Sequence, residues 1–192
     1  MHTHTLMTPS ATTSKRTLST AEERREAVLE AGMSVFAEKG FLGTPTTEVA
    51  KAAGISQAYL FRLFPTKTDL VLAVVERSNQ RIRATFLAAA ARARATGADP
   101  RETMGESYGE LLEDRSMLMT QIHQFAAAAS MPEVAEASRA FFAELYELVQ
   151  RETDLDAESI HQFFATGMLL NVMAAIGAQD EHGPWAQTLR IC

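Results

Sequence analysis

The side chains best suited to covalent or metal chemistry are few and scattered. The chain has one cysteine, Cys192, and its five histidines are His2, His4, His123, His161 and His182. No two of these histidines stand one helical turn apart, the spacing at which one helix face presents two metal ligands. Neither a Gly-rich phosphate loop nor a serine nucleophile turn is found. We therefore predict no enzyme, no cofactor and no metal site.

Cysteine usage and the N-terminal composition favour a cytoplasmic protein. A single cysteine cannot form a disulfide within the chain, which fits a reducing compartment. Residues 1–20 are rich in Thr and Ser and lack the apolar core of a secretory signal. We interpret residues 1–19 as a flexible arm, with Lys15 and Arg16 near its end.

A different chemistry, hydrogen bonding to nucleic-acid bases, is indicated by the segment Ser56-Gln57-Ala58-Tyr59. The amide of Gln57 can pair with adenine through two hydrogen bonds, and Ala58 can pack against a thymine methyl group. The Tyr59 hydroxyl can bond a phosphate. If this segment forms the first turn of a helix, its free backbone N–H groups also attract phosphate.

Two short helices around a glycine turn are predicted to position this segment. Thr44 is the expected N-cap of the first, with Pro45 at its first helical position. Gly54 then turns the chain, and Ser56 caps a second helix that ends before Pro65. We interpret residues 44–64 as a helix-turn-helix, whose second helix enters the major groove of DNA.

Such a pair is too small to fold alone and must pack on an earlier helix. The apolar residues Val28, Val35 and Phe36 recur at helical spacing. Ser19 or Thr20 is the expected start of this first helix, and Gly40 its expected end. Residues 20–66 are therefore predicted to be a three-helix DNA-binding domain.

The remaining 67–192 also read as helices, since apolar residues follow a helical and never an alternating period. Predicted helices cover 67–96, about 100–114, about 116–130, the segment after Pro132 and the segment after Asp156; a short piece follows Pro184. The fold class is all-α. We expect the N-terminal helix-turn-helix domain to be followed by a larger C-terminal helical domain.

The net charge of −6 conceals two halves of opposite sign. Residues 1–98 contain 13 Lys/Arg and eight Asp/Glu, a balance of +5, whereas residues 99–192 contain five and 16, a balance of −11. This asymmetry favours a polyanion partner for the first half. The alternative is that acidic helix faces simply keep the second half soluble.

The motifs of the first half resemble those of the TetR family of transcriptional repressors. The resemblance rests on residues 40–41, 44–50, 53–56, 60–61, 64 and 66–67, which read GF, TPTTEVA, AGIS, LF, F and TK. It covers about residues 20–70, and the C-terminal remainder has no shared motif of similar strength.

The resemblance implies that Thr44, Thr47 and Lys67 contact phosphates. The complete predicted DNA-contacting set is Thr44, Thr46, Thr47, Ser56, Gln57, Ala58, Tyr59, Arg62 and Lys67. Family members often have Gly, Tyr and His where this chain has Ala58, Phe61 and Leu63. Because Phe61 lacks a hydroxyl, we do not assign it a phosphate contact.

Residues 159–179 have no formal charge and are predicted to be a dimer helix. Their polar side chains and the absence of a flanking Lys/Arg cluster argue against a membrane span. The predicted dimer interface consists of Phe141, Leu145, Leu148, Gly167, Leu170, Ala174 and Gly177. The alternative is that both apolar stripes belong to the core of one chain.

The resemblance also implies a small-molecule effector, largely apolar, in the C-terminal domain. The candidate ligand-binding residues are Tyr108, Gln121, His123, Phe125, Phe164, Met168 and Asn171. A pocket and an ordinary Met-rich core fit these residues equally well.

Taken together, these patterns predict a repressor that binds a palindromic double-stranded DNA operator as a homodimer and is released by its effector. One alternative is a helical ligand-binding or scaffold protein with a vestigial DNA-binding head. A second, an enzyme or metalloprotein, has no positive feature in its favour.

Overall fold

The computed structural model describes the backbone of residues 12–189 and the side chains of residues 21–189. Across that range it contains helices and no strands, which confirms the all-α prediction. The helices are α1 (Thr12–Gly43), α2 (Thr46–Ala52), α3 (Gln57–Leu63), α4 (Lys67–Thr96), α5 (Pro100–Leu112), α6 (Arg115–Ala128), α7 (Pro132–Thr153), α8 (Ala157–Ala175) and α9 (Pro184–Leu189), with a 3₁₀ turn at Ala178–Asp180.

The first helix is longer than the sequence suggested. It begins at Thr12, so a start at Ser19 or Thr20 is wrong, and residues 12–19 of the predicted arm are helical. No Gly or Pro lies between Thr12 and Gly32, so nothing local interrupts the helix. Residues 1–11 of the predicted arm, with His2 and His4, lie outside the described residues, as does Cys192.

Gly40 bends α1 rather than ending it. Its φ of 76° and ψ of 168° are non-helical, and the chain then makes one more short turn to Gly43. This backbone region is essentially restricted to glycine. The bend directs the chain away from the α1 axis and into α2.

The predicted N-cap of α2 needs correction. The helix begins at Thr46, and Pro45 is the preceding residue, without a side-chain cap. Thr44 is fully buried, and its hydroxyl donates to the Gly40 carbonyl over 2.8 Å. Thr44 therefore closes the bend of α1 and does not cap α2.

The predicted cap at Ser56 is confirmed, and two longer helices also begin with side-chain caps. Ser56 Oγ accepts from the Tyr59 backbone N–H, and Asp156 accepts from that of Ser159. Thr66 and Asp69 form a reciprocal capping box at the start of α4. These caps fix where α3, α4 and α8 begin, and hence the directions in which their first turns face.

One continuous cluster of buried apolar residues extends from Val28 to Val149. The helix α1 packs on α2, α4 and α6, so the N-terminal three-helix unit and the rest of the described chain share this core. The division into 20–66 and 67–192 remains a prediction. Between residues 12 and 189, no helix is both long and apolar enough to cross a membrane.

Candidate nucleic-acid interface and ligand cavity

The helix α3 is almost wholly available to a partner. Leu60 is its one buried residue, and it anchors the helix on the core. Gln57 and Ala58 are exposed in the first turn, and the Phe61 ring is 38% exposed one turn later. Leu63 is half-buried against the same core, so the exposed surface of α3 is provided by Gln57, Ala58, Phe61 and Arg62.

The Gln57 side chain is oriented by the neighbouring helix. Its Nε2 donates to Thr46 Oγ1 over 3.4 Å, a long contact that joins α3 to the start of α2. Thr46 itself is buried, whereas Thr47 beside it is exposed. Of the two threonines, Thr47 is thus the one with surface available for a phosphate.

Tyr59 lies between two arginines. The guanidinium carbon of Arg24 in α1 is 5.7 Å from the ring centroid, and that of Arg62 is 5.6 Å away. Both are within the range of a cation–π contact. Two cations therefore lie close to the Tyr59 side chain, and guanidinium groups are well suited to bind phosphate.

Arg24 and Arg25 were not among the predicted site residues. Arg25 packs over the Phe64 ring at 4.2 Å and donates to the Leu63 carbonyl, so it joins α1 to the end of α3. No signal within residues 44–67 indicates these contacts. They arise because the folding of the chain brings Arg24 to the Tyr59 ring and Arg25 to the end of α3.

Lys67 lies at the start of α4 and reaches back to the bend of α1. Its Nζ donates to the Leu42 carbonyl over 3.0 Å. Partial burial lowers the pKa of Lys67 from its usual range. The hydrogen bond holds the ammonium group close to the first turns of α2 and α4, where a phosphate contact was predicted.

Among the nine predicted DNA-contacting residues, Thr44 is the clear correction. It has no exposed surface, and its hydroxyl is already used within the chain. Ser56 is exposed, but its Oγ serves as the N-cap of α3. Its remaining hydroxyl proton is free to face a partner.

A cavity of about 830 Å³ lies among α4, α5, α6, α7 and α8. Six of the seven candidate ligand-binding residues line it, which favours the pocket interpretation over a filled Met-rich core. These six are Tyr108, Gln121, Phe125, Phe164, Met168 and Asn171.

His123 is the exception, because it faces the other side of α6. Its Nε2 lies 3.3 Å from the Ala37 carbonyl, and its ring packs edge-on against Phe41 at 6.3 Å between centroids. The prediction that His123 contacts a ligand in this cavity is therefore wrong. The residue instead joins α6 to the bend of α1.

The polar residues of the cavity form a buried network centred on Tyr108. The Tyr108 hydroxyl donates to Gln121 Oε1 over 2.8 Å and accepts from Asn171 Nδ2 over 2.8 Å. Burial raises the pKa of Tyr108 to about 12, although both hydrogen bonds oppose this rise. The phenol is therefore neutral at physiological pH.

The predicted dimer residues divide into two groups. Phe141, Leu145 and Leu148 are buried within the chain, and the first two line the cavity, so they leave no surface for a partner. Gly167, Leu170 and Ala174 are half-buried on α8, and Gly177 is exposed just beyond it.

The apolar surface of α8 lies instead on a neighbouring stripe. Met168, Val172 and Ile176 recur every four residues, and the last two are 49% and 63% exposed. Tyr146 of α7 is also exposed. Three large apolar side chains one turn apart form a continuous patch that water solvates poorly.

A metal centre finds no support in the part of the chain that the structure describes. No group of three or more His, Cys, Asp or Glu side chains between residues 21 and 189 is placed to hold an ion.

The comparisons with known proteins agree with this geometry. The family model described as bacterial regulatory proteins, tetR family, matches residues 28–74. The HTH-type transcriptional regulator AcrR of Shigella flexneri is 27% identical over 144 residues, which span 71% of this chain and 66% of AcrR. The HTH-type transcriptional regulator RutR of Escherichia coli (strain K12) is 35% identical over 66 residues, which span 34% of this chain and 31% of RutR.

Solved structures extend the likeness to the C-terminal half. A TetR-family member from Streptomyces coelicolor A3 has a TM-score of 0.66 at 22% identity and covers 87% of this chain and 96% of its own. GusR of Salmonella enterica has a TM-score of 0.65 at 23% identity and covers 88% and 92%. At these identities the likeness concerns the fold alone.

Proposed function

We propose that this chain, which matches the model of the tetR family of bacterial regulatory proteins over residues 28–74, is a transcriptional repressor of that family. In this proposal it binds a palindromic operator as a homodimer and leaves DNA when a small molecule occupies the cavity. The observation that carries the proposal is the exposed surface of α3, where Gln57, Ala58 and Arg62 are uncovered and Arg24 lies beside Tyr59.

The chemistry of that surface supports DNA as the partner. Gln57 offers a donor and an acceptor to a base edge, while Tyr59, Arg62 and Lys67 offer groups to the backbone. The acidic residues are concentrated after residue 98, so the overall charge of −6 does not oppose this contact. We expect affinity to fall steeply with salt, because phosphate contacts release counterions.

The exposed stripe of α8 supports a homodimer. A second copy that packs Met168, Val172 and Ile176 against the same residues would cover the patch by two-fold symmetry. The two helix-turn-helix units of the dimer would then face successive turns of the major groove, as a palindromic operator requires.

The contact between α6 and the bend of α1 supports effector control. Gln121 lines the cavity and His123, two residues later, touches the bend that leads into α2. A ligand that shifts α6 would therefore move the bend of α1, and with it the helix-turn-helix, through the contact of His123. Such coupling typically changes affinity by about 5–150-fold.

The test is selection of binding sites from random duplexes with the full chain. We expect an enriched palindrome, and we expect the double change Gln57→Ala and Tyr59→Ala to abolish enrichment while the protein stays folded. Arg139→Ala, an exposed arginine of α7, is the matched control and should leave selection unchanged. Absence of an enriched palindrome, or its survival in the double variant, would contradict the proposal.

A further inference from the structure

The cavity contains one buried polar atom that has no hydrogen-bond partner among the residues that the structure describes. Gln121 is 3% exposed and lines the cavity. Its Oε1 accepts from Tyr108, but its Nε2 has no hydrogen-bond partner. Buried donors are nearly always paired, so a free one in a cavity wall points to a ligand that accepts from it.

The neighbouring network sets which end of the Gln121 amide is free. The Tyr108 hydroxyl has a single proton, and it accepts from Asn171 Nδ2 over 2.8 Å. Its proton can go to Gln121 Oε1 at 2.8 Å or to Asn171 Oδ1 at 3.1 Å. Because Asn171 already donates to this hydroxyl through Nδ2, we assign the proton to the shorter contact with Gln121. With the oxygen of Gln121 engaged, the amide nitrogen is the group left for a ligand, and it can only donate.

The walls around this donor are aromatic. Phe86 and Phe163 pack at 5.8 Å between ring centroids, and Phe125 and Phe142 at 6.0 Å. Phe164 continues the same chain of rings, 5.9 Å from Phe163. Rings at these distances favour a planar aromatic guest, which can stack or meet them edge-on.

Charge is confined to one side of the cavity. The ionisable residues Asp99, Arg101, Glu102 and Glu106 all belong to the start of α5, and each is exposed or half-exposed. The groups around Gln121 are neutral amides, a neutral phenol and phenyl rings. An ion placed there would lose hydration without gaining a counter-charge.

We propose that the cavity binds an uncharged aromatic compound whose carbonyl oxygen accepts a hydrogen bond from Gln121 Nε2. This inference rests on the proposed function only in taking the cavity as the effector site. The aromatic rings supply the apolar contact area, and the single donor fixes the orientation of the ligand.

The test uses matched probes on the full chain without DNA. Benzophenone and anthraquinone have the carbonyl, diphenylmethane and anthracene lack it, and 4-benzoylbenzoate adds a negative charge. We expect calorimetry to show each ketone binding at least about tenfold more tightly than its hydrocarbon, since one hydrogen bond in a buried site is worth about that factor. The charged probe should bind more weakly than benzophenone.

The variant Gln121→Met removes the donor at similar volume. We expect it to bind the ketones and the hydrocarbons equally, with Gln150→Met, an exposed residue of α7, as the control that keeps the preference. The comparison within the wild type needs no variant and guards against misfolding.

Failure of the neutral ketones to bind, equal affinity for ketone and hydrocarbon, or preference for the charged probe would overturn the proposal. DNA binding is measured separately. Ketones that bind while the DNA complex persists would contradict effector release but leave the cavity chemistry intact.

Discussion

The imidazole of His123 lies directly against Gly40, so that a Cβ added at position 40 would come 3.2 Å from its Nδ1. The glycine forms the bend of α1, and the histidine belongs to the helix that lines the cavity. Since the Ala37 carbonyl can only accept, its 3.3 Å contact with His123 Nε2 requires the proton on that nitrogen. This junction links the helix that lines the cavity to the bend that leads into α2.

The bend itself should not tolerate a side chain. We expect Gly40→Ala to lower the free energy of unfolding by about 1–3 kcal/mol, because its φ of 76° with ψ of 168° is strained for any L-residue. Gly43→Ala is the control, since its Cβ would meet nothing within 4 Å. Urea denaturation of both variants measures the difference, and equal stability would show that the bend is not strained.

Crowding and backbone strain at the bend can be separated by a double-mutant cycle. In a His123→Ala background we expect Gly40→Ala to lower the free energy of unfolding by less than in the wild type, because the imidazole no longer crowds the new methyl group. Gly40→Ala should still destabilise the protein in this background, since the backbone strain remains. Strictly additive changes in unfolding free energy would mean that the ring simply moves aside.

Lys67 should contribute to DNA affinity without contributing to sequence preference. We expect Lys67→Gln to weaken binding to all duplexes by the same factor. It should also reduce the slope of log affinity against log salt by about 1. Titration at several salt concentrations measures this, with Arg139→Gln as the control far from α3. An unchanged slope would mean that the ammonium group, bonded to the Leu42 carbonyl, does not reach a phosphate.

Tyr108 should make stability depend on alkaline pH. Its folded pKa of about 12 exceeds the ordinary value of 10.0, so the stabilisation is complete below pH 10 and is lost as pH rises towards 12. We expect Tyr108→Phe to be less stable than the wild type at pH 8 by about 1–3 kcal/mol, because Gln121 and Asn171 lose their partner.

The same variant should lose less further stability between pH 8 and pH 11 than the wild type does. Urea unfolding at the two pH values tests this, with the exposed Tyr146→Phe as the control. If the wild type and both variants lose the same free energy of unfolding between the two pH values, Tyr108 ionises as readily in the folded chain as in the unfolded one.

The stripe on α8 should decide the oligomeric state. We expect Val172→Glu to convert the proposed dimer to a monomer, since it would place two like charges in a two-fold contact. Leu87→Glu changes an exposed leucine of α4 and should leave the dimer intact. Analytical ultracentrifugation distinguishes the outcomes. If the Val172→Glu variant is still a dimer, the interface lies on another surface.

The sequence by itself determined where most of the helices begin and where the helix-turn-helix lies. Ser56, Thr66 and Asp156 mark helix starts through hydrogen bonds to residues three positions on, and such signals are local. The spacing of Gly54 and Pro65 places the turn and the end of α3 in the same way. These features depend on neighbouring residues, and neighbours are what a sequence shows directly.

The tertiary structure alone decided which side of each helix is covered. Phe141 and Val172 are both apolar residues on helices, yet the first is buried against the cavity and the second is exposed. Thr44 was predicted to contact DNA and His123 a small molecule, but the side chains of both are bonded to the end of α1. Burial and hydrogen-bond pairing depend on residues far apart in the chain, such as Ala37 and His123, and only the packing of the helices brings these together.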